Sequence, residues 1–165
     1  HRDLHSFPTR RSSDLPTDIN LKNIHVLIVG MGNVAFRKLS NILSARKIRI
    51  ISKEIDDEKL DFIKKQNNIS YEIRAYEKSD LNDINIVFAC TNDLSAQLQI
   101  KEDIENSGKF ILANYCKIGE YSNFTNMSTI QKDDIGIAVS TYRKDSAKTK
   151  KIRENLEKWY EDANC

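Results

Sequence analysis

Gly30-Met31-Gly32-Asn33-Val34-Ala35 reads G-x-G-x-x-A and sits between an unbroken apolar run at residues 26–29 and a stretch with helical spacing. No other feature restricts the fold of this chain as strongly. An apolar run closed by glycine suits a central parallel strand covered on both faces. Gly30 permits the tight turn, Gly32 lets backbone come close to a pyrophosphate, and the small side chain of Ala35 lets helix and strand pack closely. Met31, Asn33 and Val34 complete the turn. The free amides at the helix start face a bound phosphate, and the helix dipole favours its negative charge. A glycine turn that only joins strand to helix has the same letters, so the motif takes its meaning from the elements on either side.

Those elements continue in alternation. In the helix after the turn, Val34, Ala35, Leu39, Ile42 and Leu43 form the packing face, while Arg37, Lys38 and Ser40 look outward. The spacing then predicts a strand over 48–51, a polar helix over 56–66, a strand over 69–74 and a buried strand over 86–89. A helix capped by Asp93 runs to about Asn106, Gly108 stops it, and residues 110–113 make a fifth strand. Alternation at this spacing predicts an α/β fold, a Rossmann-type doubly wound parallel sheet with right-handed crossovers. It occupies residues 16–114 as an NAD(P)-binding domain. Residues 115–165 break the pattern. Two short segments, 124–130 and 135–141, flank the polar turn 131–134 as a β-hairpin. A final helix over 145–162 carries Ile152, Leu156, Trp159 and Tyr160 on one stripe.

The 165 residues allow one such domain and a small appendage, and no second full domain. An apolar fraction of 39% and a charged fraction of 30%, with no apolar run long enough to span a bilayer, point away from a membrane protein. A net charge of +2 gives nucleic-acid binding no support. Cys90, Cys116 and Cys165 make neither the even count of a disulfide framework nor a C-x-x-C pair, so a reducing cytoplasm is the expected setting. Cys90 and Cys116 read as packing residues. His1 and His5 lie in the first segment and His25 begins a strand, so no metal cluster is expected. Residues 1–15 have no structural period, and Asp3 and Asp14 argue against a transit peptide. They are expected to be a non-native or disordered leader, with the native chain starting near Pro16.

At the end of the second strand, where an acidic residue usually meets the adenosine ribose, stand Ser52, Lys53 and Glu54. Ser52 can hydrogen-bond a ribose hydroxyl, and Lys53 reads either as a partner for a 2′-phosphate or as a solvated surface lysine. NAD and NADP both remain open on these residues.

Beginning with Leu21-Lys22-Asn23 and running through Val26-Leu27-Ile28-Val29-Gly30-Met31-Gly32-Asn33-Val34-Ala35-Phe36-Arg37-Lys38, the chain resembles the opening of the precorrin-2 dehydrogenases, the amino-terminal domain of siroheme synthases. Further pieces follow in that family's order. They are Ala89-Cys90-Thr91-Asn92-Asp93, Asn114, Phe124, Ile137-Ala138-Val139-Ser140-Thr141 and Ile152-Arg153-Glu154-Asn155-Leu156-Glu157. Departures accompany them. Counted without a gap from Asn114, the family's aspartate falls on Lys117, Met127 stands near a missing proline, and Asp145-Ser146 replace a serine-proline.

The resemblance implies NAD-dependent dehydrogenation of precorrin-2, a tetrapyrrole, to sirohydrochlorin in siroheme biosynthesis, by a homodimer that exchanges contacts after Asn114. It implies that Thr91 and Asn92 pass close to the nicotinamide. Candidates for the reaction are Asn92, Asn114, Lys117 and Ser128, each of which also reads as ordinary loop hydrogen bonding. A protonated lysine is a poor metal ligand, so ferrochelatase chemistry is not expected. Arg143, Lys144, Lys148, Lys150, Lys151 and Arg153 are the basic cluster expected to meet substrate carboxylates, or else a solvated helix face. The rival reading is a non-catalytic dinucleotide-binding module that senses or scaffolds.

Overall fold

The computed structural model describes residues 14–163 apart from Arg143. Most of the expected leader, with His1 and His5, and also Cys165 lie outside the described residues. The chain divides into two compact units, the first being Ile19–Phe124.

In that unit β1 (His25–Val29), β2 (Lys47–Ser52), β3 (Ile69–Ile73), β4 (Ile86–Ala89) and β5 (Leu112–Tyr115) form one parallel sheet in the order β3-β2-β1-β4-β5. Helices α1 (Asn33–Ser40), α2 (Asp57–Lys64) and α3 (Leu94–Asn106) connect them. Strand β1 is central, paired with β2 on one side and β4 on the other. Its residues alternate between two separate cores. Val26 and Ile28 join Ala35, Leu39 and Ile63 under α1 and α2. Leu27 and Val29 join Ile100 and Ile104 of α3. Both faces are therefore covered, which is why β1 reads as a continuous apolar run and why the sheet is doubly wound. Each of these buried valine, leucine and isoleucine side chains contributes roughly 1.5–3 kcal/mol over an exposed one. The chain reverses its winding between β1 and β4, so the helices that follow these neighbouring strands lie on opposite faces of the sheet and leave a crevice at the strands' carboxyl ends.

The structure differs from the sequence expectation at several places. Helix α1 ends at Ser40, because Ser40 Oγ and Asn41 Nδ2 both donate to the Arg37 carbonyl and take over the helix terminus. Ile42 stays buried, but from a turn. Val34, expected on the packing face, is 45% exposed. Strand β5 lies two residues later than its sequence suggested, because Phe110 is 84% exposed while Ala113 and Tyr115 fill the core. The segment after β5 also stays on the sheet unit. Asn123 accepts the Ala113 amide at 2.7 Å and donates to the Ile111 carbonyl at 2.8 Å, and Phe124 stacks edge-on against Phe88 with ring centroids 5.4 Å apart.

The second unit holds the antiparallel hairpin of β6 (Ser128–Lys132) and β7 (Ile135–Val139), followed by α4 (Ser146–Ala163). Asp133 turns the hairpin with φ 53°, a left-handed conformation that aspartate tolerates. An ion pair between Lys132 and Glu161 and a 3.2 Å hydrogen bond from the Tyr160 hydroxyl to Asp133 fasten α4 to the hairpin. Among the described residues no helix is long and apolar enough to cross a membrane.

The edge of the sheet next to the crevice is held by a bidentate pair. Arg74 Nη1 and Nη2 donate to the two carboxylate oxygens of Asp80 at 2.8 and 2.7 Å, and the Glu77 amide adds a third bond. Burial pushes the Asp80 carboxyl up, but the hydrogen bonds from Arg74 and the Glu77 amide outweigh it and hold the group below the ordinary carboxylate range. A depressed folded-state pKa stabilises the protein above the unfolded value of about 4 and is lost as pH falls below it. Asp80→Asn is expected to cost about 2 kcal/mol at neutral pH. Chemical denaturation at pH 7 and pH 3 checks this, since the difference between variant and parent should shrink at the lower pH.

Candidate functional site

A cleft of about 750 Å³ opens where the carboxyl ends of β1, β2 and β4 meet the start of α1, and all of its lining residues belong to the sheet unit. Its floor is the glycine turn. Gly30 has φ +89°, and a Cβ there would lie 2.7 Å from the Thr91 nitrogen and 2.8 Å from its Cα. These are backbone atoms that cannot swing aside, so the β1–α1 turn and the loop after β4 touch only because residue 30 is glycine. Gly32 differs in kind. It caps α1 with an extended backbone, makes no side-chain cap, and a Cβ there would meet nothing within 4 Å. The protein leaves this space open.

Above that space stand unsatisfied donors. The first intrahelical bond runs from the Phe36 amide to the Gly32 carbonyl at 3.0 Å. The amides of Asn33, Val34 and Ala35 precede it and have no intrahelical partner. Ala35 is fully buried against β1, which brings the helix start close to the strand. Open space at Gly32 beneath three amides and a positive helix end fits a pyrophosphate.

The ribose side of the cleft begins at Ser52, which is buried and donates its hydroxyl to the Glu54 carbonyl at 2.6 Å. Lys53 reaches over to Asp93 with Nζ 3.1 Å from Oδ2. Arg74 lines the same end but is already engaged by Asp80 and, through Nε, by Glu72 at 2.9 Å. Tyr76 donates its hydroxyl to Asp103 at 3.1 Å. Burial and that carboxylate together push its phenol far up, so Tyr76 stays protonated.

The opposite wall is the loop after β4. Thr91 Oγ1 accepts the Asp93 amide at 3.1 Å, and Asp93 Oδ1 accepts the Ala96 amide at 3.2 Å to cap α3. The Ala96 amide and Lys53 hold the Asp93 carboxyl below its usual range. Asn92 is exposed at the cleft. Behind this loop lies Gln97, fully buried, whose amide donates to the Thr91 carbonyl at 2.7 Å and accepts the Lys117 amide at 3.1 Å. One side chain thus ties together the loops that follow β4 and β5.

The structure therefore gathers Gly30, Met31, Gly32, Asn33, Val34, Ser52, Lys53, Thr91 and Asn92 around one cleft, while Ala35 is buried in the core and does not line it. Asn114 is buried on β5, where its amide donates to the Phe124 carbonyl at 3.1 Å. Lys117 has its backbone fixed by Gln97 and its side chain exposed. Ser128 opens β6 in the second unit. Among the described residues no three His, Cys, Asp or Glu side chains come together as a metal site. Sequence reasoning missed Gln97, Arg74 and Tyr76. For Gln97 the only signal was a polar residue at a packing position of α3.

A family model described as "Putative NAD(P)-binding" matches residues 18–128. The "Precorrin-2 dehydrogenase" of Bacillus subtilis (strain 168) is 26% identical over 145 residues, covering 87% of this chain and 87% of that protein. "Siroheme synthase 1" of Serratia proteamaculans (strain 568) is 28% identical over 144 residues, and the chain spans 30% of its length. The solved structure titled "SirC, precorrin-2 dehydrogenase" superposes with a TM-score of 0.74 at 19% identity, over 88% of this chain and 70% of that one, which shows the shared fold.

The two glycines should separate stability from binding. Gly30→Ala forces a side chain into a left-handed, contacted position and is expected to destabilise the protein by roughly 2 kcal/mol or more. Gly32→Val costs at most about 1 kcal/mol, the loss of a good cap residue. It should nevertheless weaken dinucleotide binding by more than tenfold, because the valine fills the phosphate space. Thermal melts and calorimetric titration with NAD on both variants check this contrast.

Proposed function

The chain belongs to the NAD(P)-binding family whose model spans residues 18–128, and from that premise we propose that it is an NAD-dependent precorrin-2 dehydrogenase, yielding sirohydrochlorin for siroheme synthesis in the cytoplasm. The observation that carries the proposal is the open amide cradle at Gly32 beside the Thr91–Asp93 loop. The relatives named for precorrin-2 dehydrogenation and siroheme synthesis support the substrate, one of them along 87% of its own length.

The bound nicotinamide supplies the hydride acceptor. This chain's residues bind, orient and exclude. The amides of Asn33, Val34 and Ala35 hold the pyrophosphate, and Ser52 and Glu54 border the adenosine ribose. The engaged cations at this end support NAD over NADP. Lys53 is paired with Asp93, and Arg74 is taken up by Asp80 and Glu72, so a 2′-phosphate would have to break existing ion pairs to be held. Asn92, exposed at the cleft, orients the substrate ring against the cofactor. Because the product gains conjugation, alignment of the two rings contributes much of the acceleration. Asn114 and Lys117, on the segment that Gln97 and Phe124 hold in place, complete the proposed set within the sheet unit.

The substrate carries several carboxylates. Lys144, Lys148 and Lys151 are exposed on and before α4, while Arg153 is matched by Glu157 at 2.8 Å within the helix. These lysines are the proposed electrostatic surface for the substrate. The second unit also supports a homodimer. Ile130 is its one buried hydrophobic residue among those described, whereas Ile135 is 50% and Trp159 62% exposed. A second copy laid over these exposed apolar side chains would remove them from water.

Purified protein mixed anaerobically with precorrin-2 and NAD should generate NADH and sirohydrochlorin absorbance together, with NADP at least tenfold less effective in kcat/KM. Intact NAD binding without turnover would favour the non-catalytic module instead. Sedimentation should give twice the chain mass, and Trp159→Glu should shift it toward the monomer.

A further inference from the structure

Two cysteines that the proposed reaction does not use lie side by side next to the cleft. Strands β4 and β5 pair in parallel with Ala89 opposite Tyr115, so Cys90 and Cys116 occupy the next row, and the Cys116 amide continues the ladder by donating to the Ala89 carbonyl at 3.0 Å. Neighbouring parallel strands lie about 4.8 Å apart, and a disulfide accepts Cα separations of roughly 4.4–6.8 Å. The two Sγ atoms are 3.3 Å apart in hydrogen-bond contact. Cys90 is half-buried against the core under α1 and lines the cleft, whereas Cys116 is exposed. We propose that Cys90 and Cys116 are a reversible oxidation site, in which peroxide links the carboxyl ends of β4 and β5 through a disulfide at the edge of the cleft.

The two sulfurs have different roles. Cys116 is the attacking thiolate. The hydrogen bond to Cys90 outweighs burial and, with the positive charges of Lys38 and Arg37 on α1, lowers its pKa to about 7. Lys38 is fixed over the Phe88 ring, 5.1 Å from its centroid. Cys90 keeps its proton, its thiol pushed far up by the ionised Cys116 and by burial. Cys116 attacks one peroxide oxygen, the O–O bond breaks, and hydroxide leaves, giving a sulfenic acid. The Cys90 sulfur then attacks the Cys116 sulfur, its proton goes to the departing hydroxyl, and water leaves. The net change is two thiols and one hydrogen peroxide to one disulfide and two waters. A dithiol reductant reverses it by exchange. The link would fix the spacing of the loops that carry Asn92 and Lys117.

The test treats the full chain with a small excess of hydrogen peroxide. Free thiols should fall from three to one, the intact mass should drop by two hydrogens, and a non-reducing digest should contain a peptide joined through Cys90 and Cys116. Dithiothreitol should restore all three thiols. The rate should rise with pH and level off above about 7, as Cys116 ionises. Cys165→Ser should still close the link, while Cys90→Ser should instead gain oxygen at Cys116. Products carrying added oxygen with no cross-link in the parent protein, a disulfide through Cys165, or thiols that survive peroxide in the folded chain would each overturn the proposal.

Discussion

The site depends on one backbone contact, that of Gly30 against Thr91. The turn after β1 and the loop after β4 leave neighbouring strands at the point where the sheet reverses its winding, and they meet at 2.7 Å from where a side chain would begin. Without a side chain at residue 30 the two loops pack together and form one wall and floor of the cleft. With one, they would be driven apart. The positive φ of Gly30 also aims the chain so that α1 starts directly over the strand, with its free amides toward the opening. Burial of β1 on both faces holds this arrangement rigid, since Val26 to Val29 are all buried between two cores.

Much of this was legible from residues alone. An apolar run that ends in glycine has few solutions, and the alternation of β-branched segments with amphipathic ones specified a parallel sheet. Asp56 and Asp93 marked two helix starts where their carboxylates indeed accept the amides of Lys59 and Ala96. The errors fell at the boundaries of elements. Ser40 and Asn41 end α1 early through bonds to a carbonyl three and four residues back, a local signal hidden under the apolar spacing of Ile42 and Leu43, whereas nothing local told that Phe110 would point to solvent while Tyr115 filled the core. The two-residue displacement of β5 had a consequence, because it hid the row that sets Cys90 beside Cys116.

The parts of the site that were not legible are tertiary polar contacts. Gln97 joins the loops after β4 and β5 through two bonds that span 6 and 20 residues. Arg74 meets Asp80, six residues on in the short 3-10 helix Lys78–Leu81, and Lys53 meets Asp93 across 40 residues. Each pair consists of residues common on surfaces, and only the fold makes them partners. These bonds hold in place a cleft built from loops. A buried amide or carboxylate left without its partner costs more than the bond itself returns, so the loops stay where Gln97 and Asp80 hold them.

The open space at Gly32 and the amides above it are the proposed seat of the cofactor's pyrophosphate. Amide chemical shifts followed by NMR during titration with NAD read those groups individually. The signals of Gly32, Asn33, Val34 and Ala35 should move the most and saturate with the same affinity as binding measured on the whole protein. Saturable NAD binding that leaves these four amides unmoved would contradict that placement.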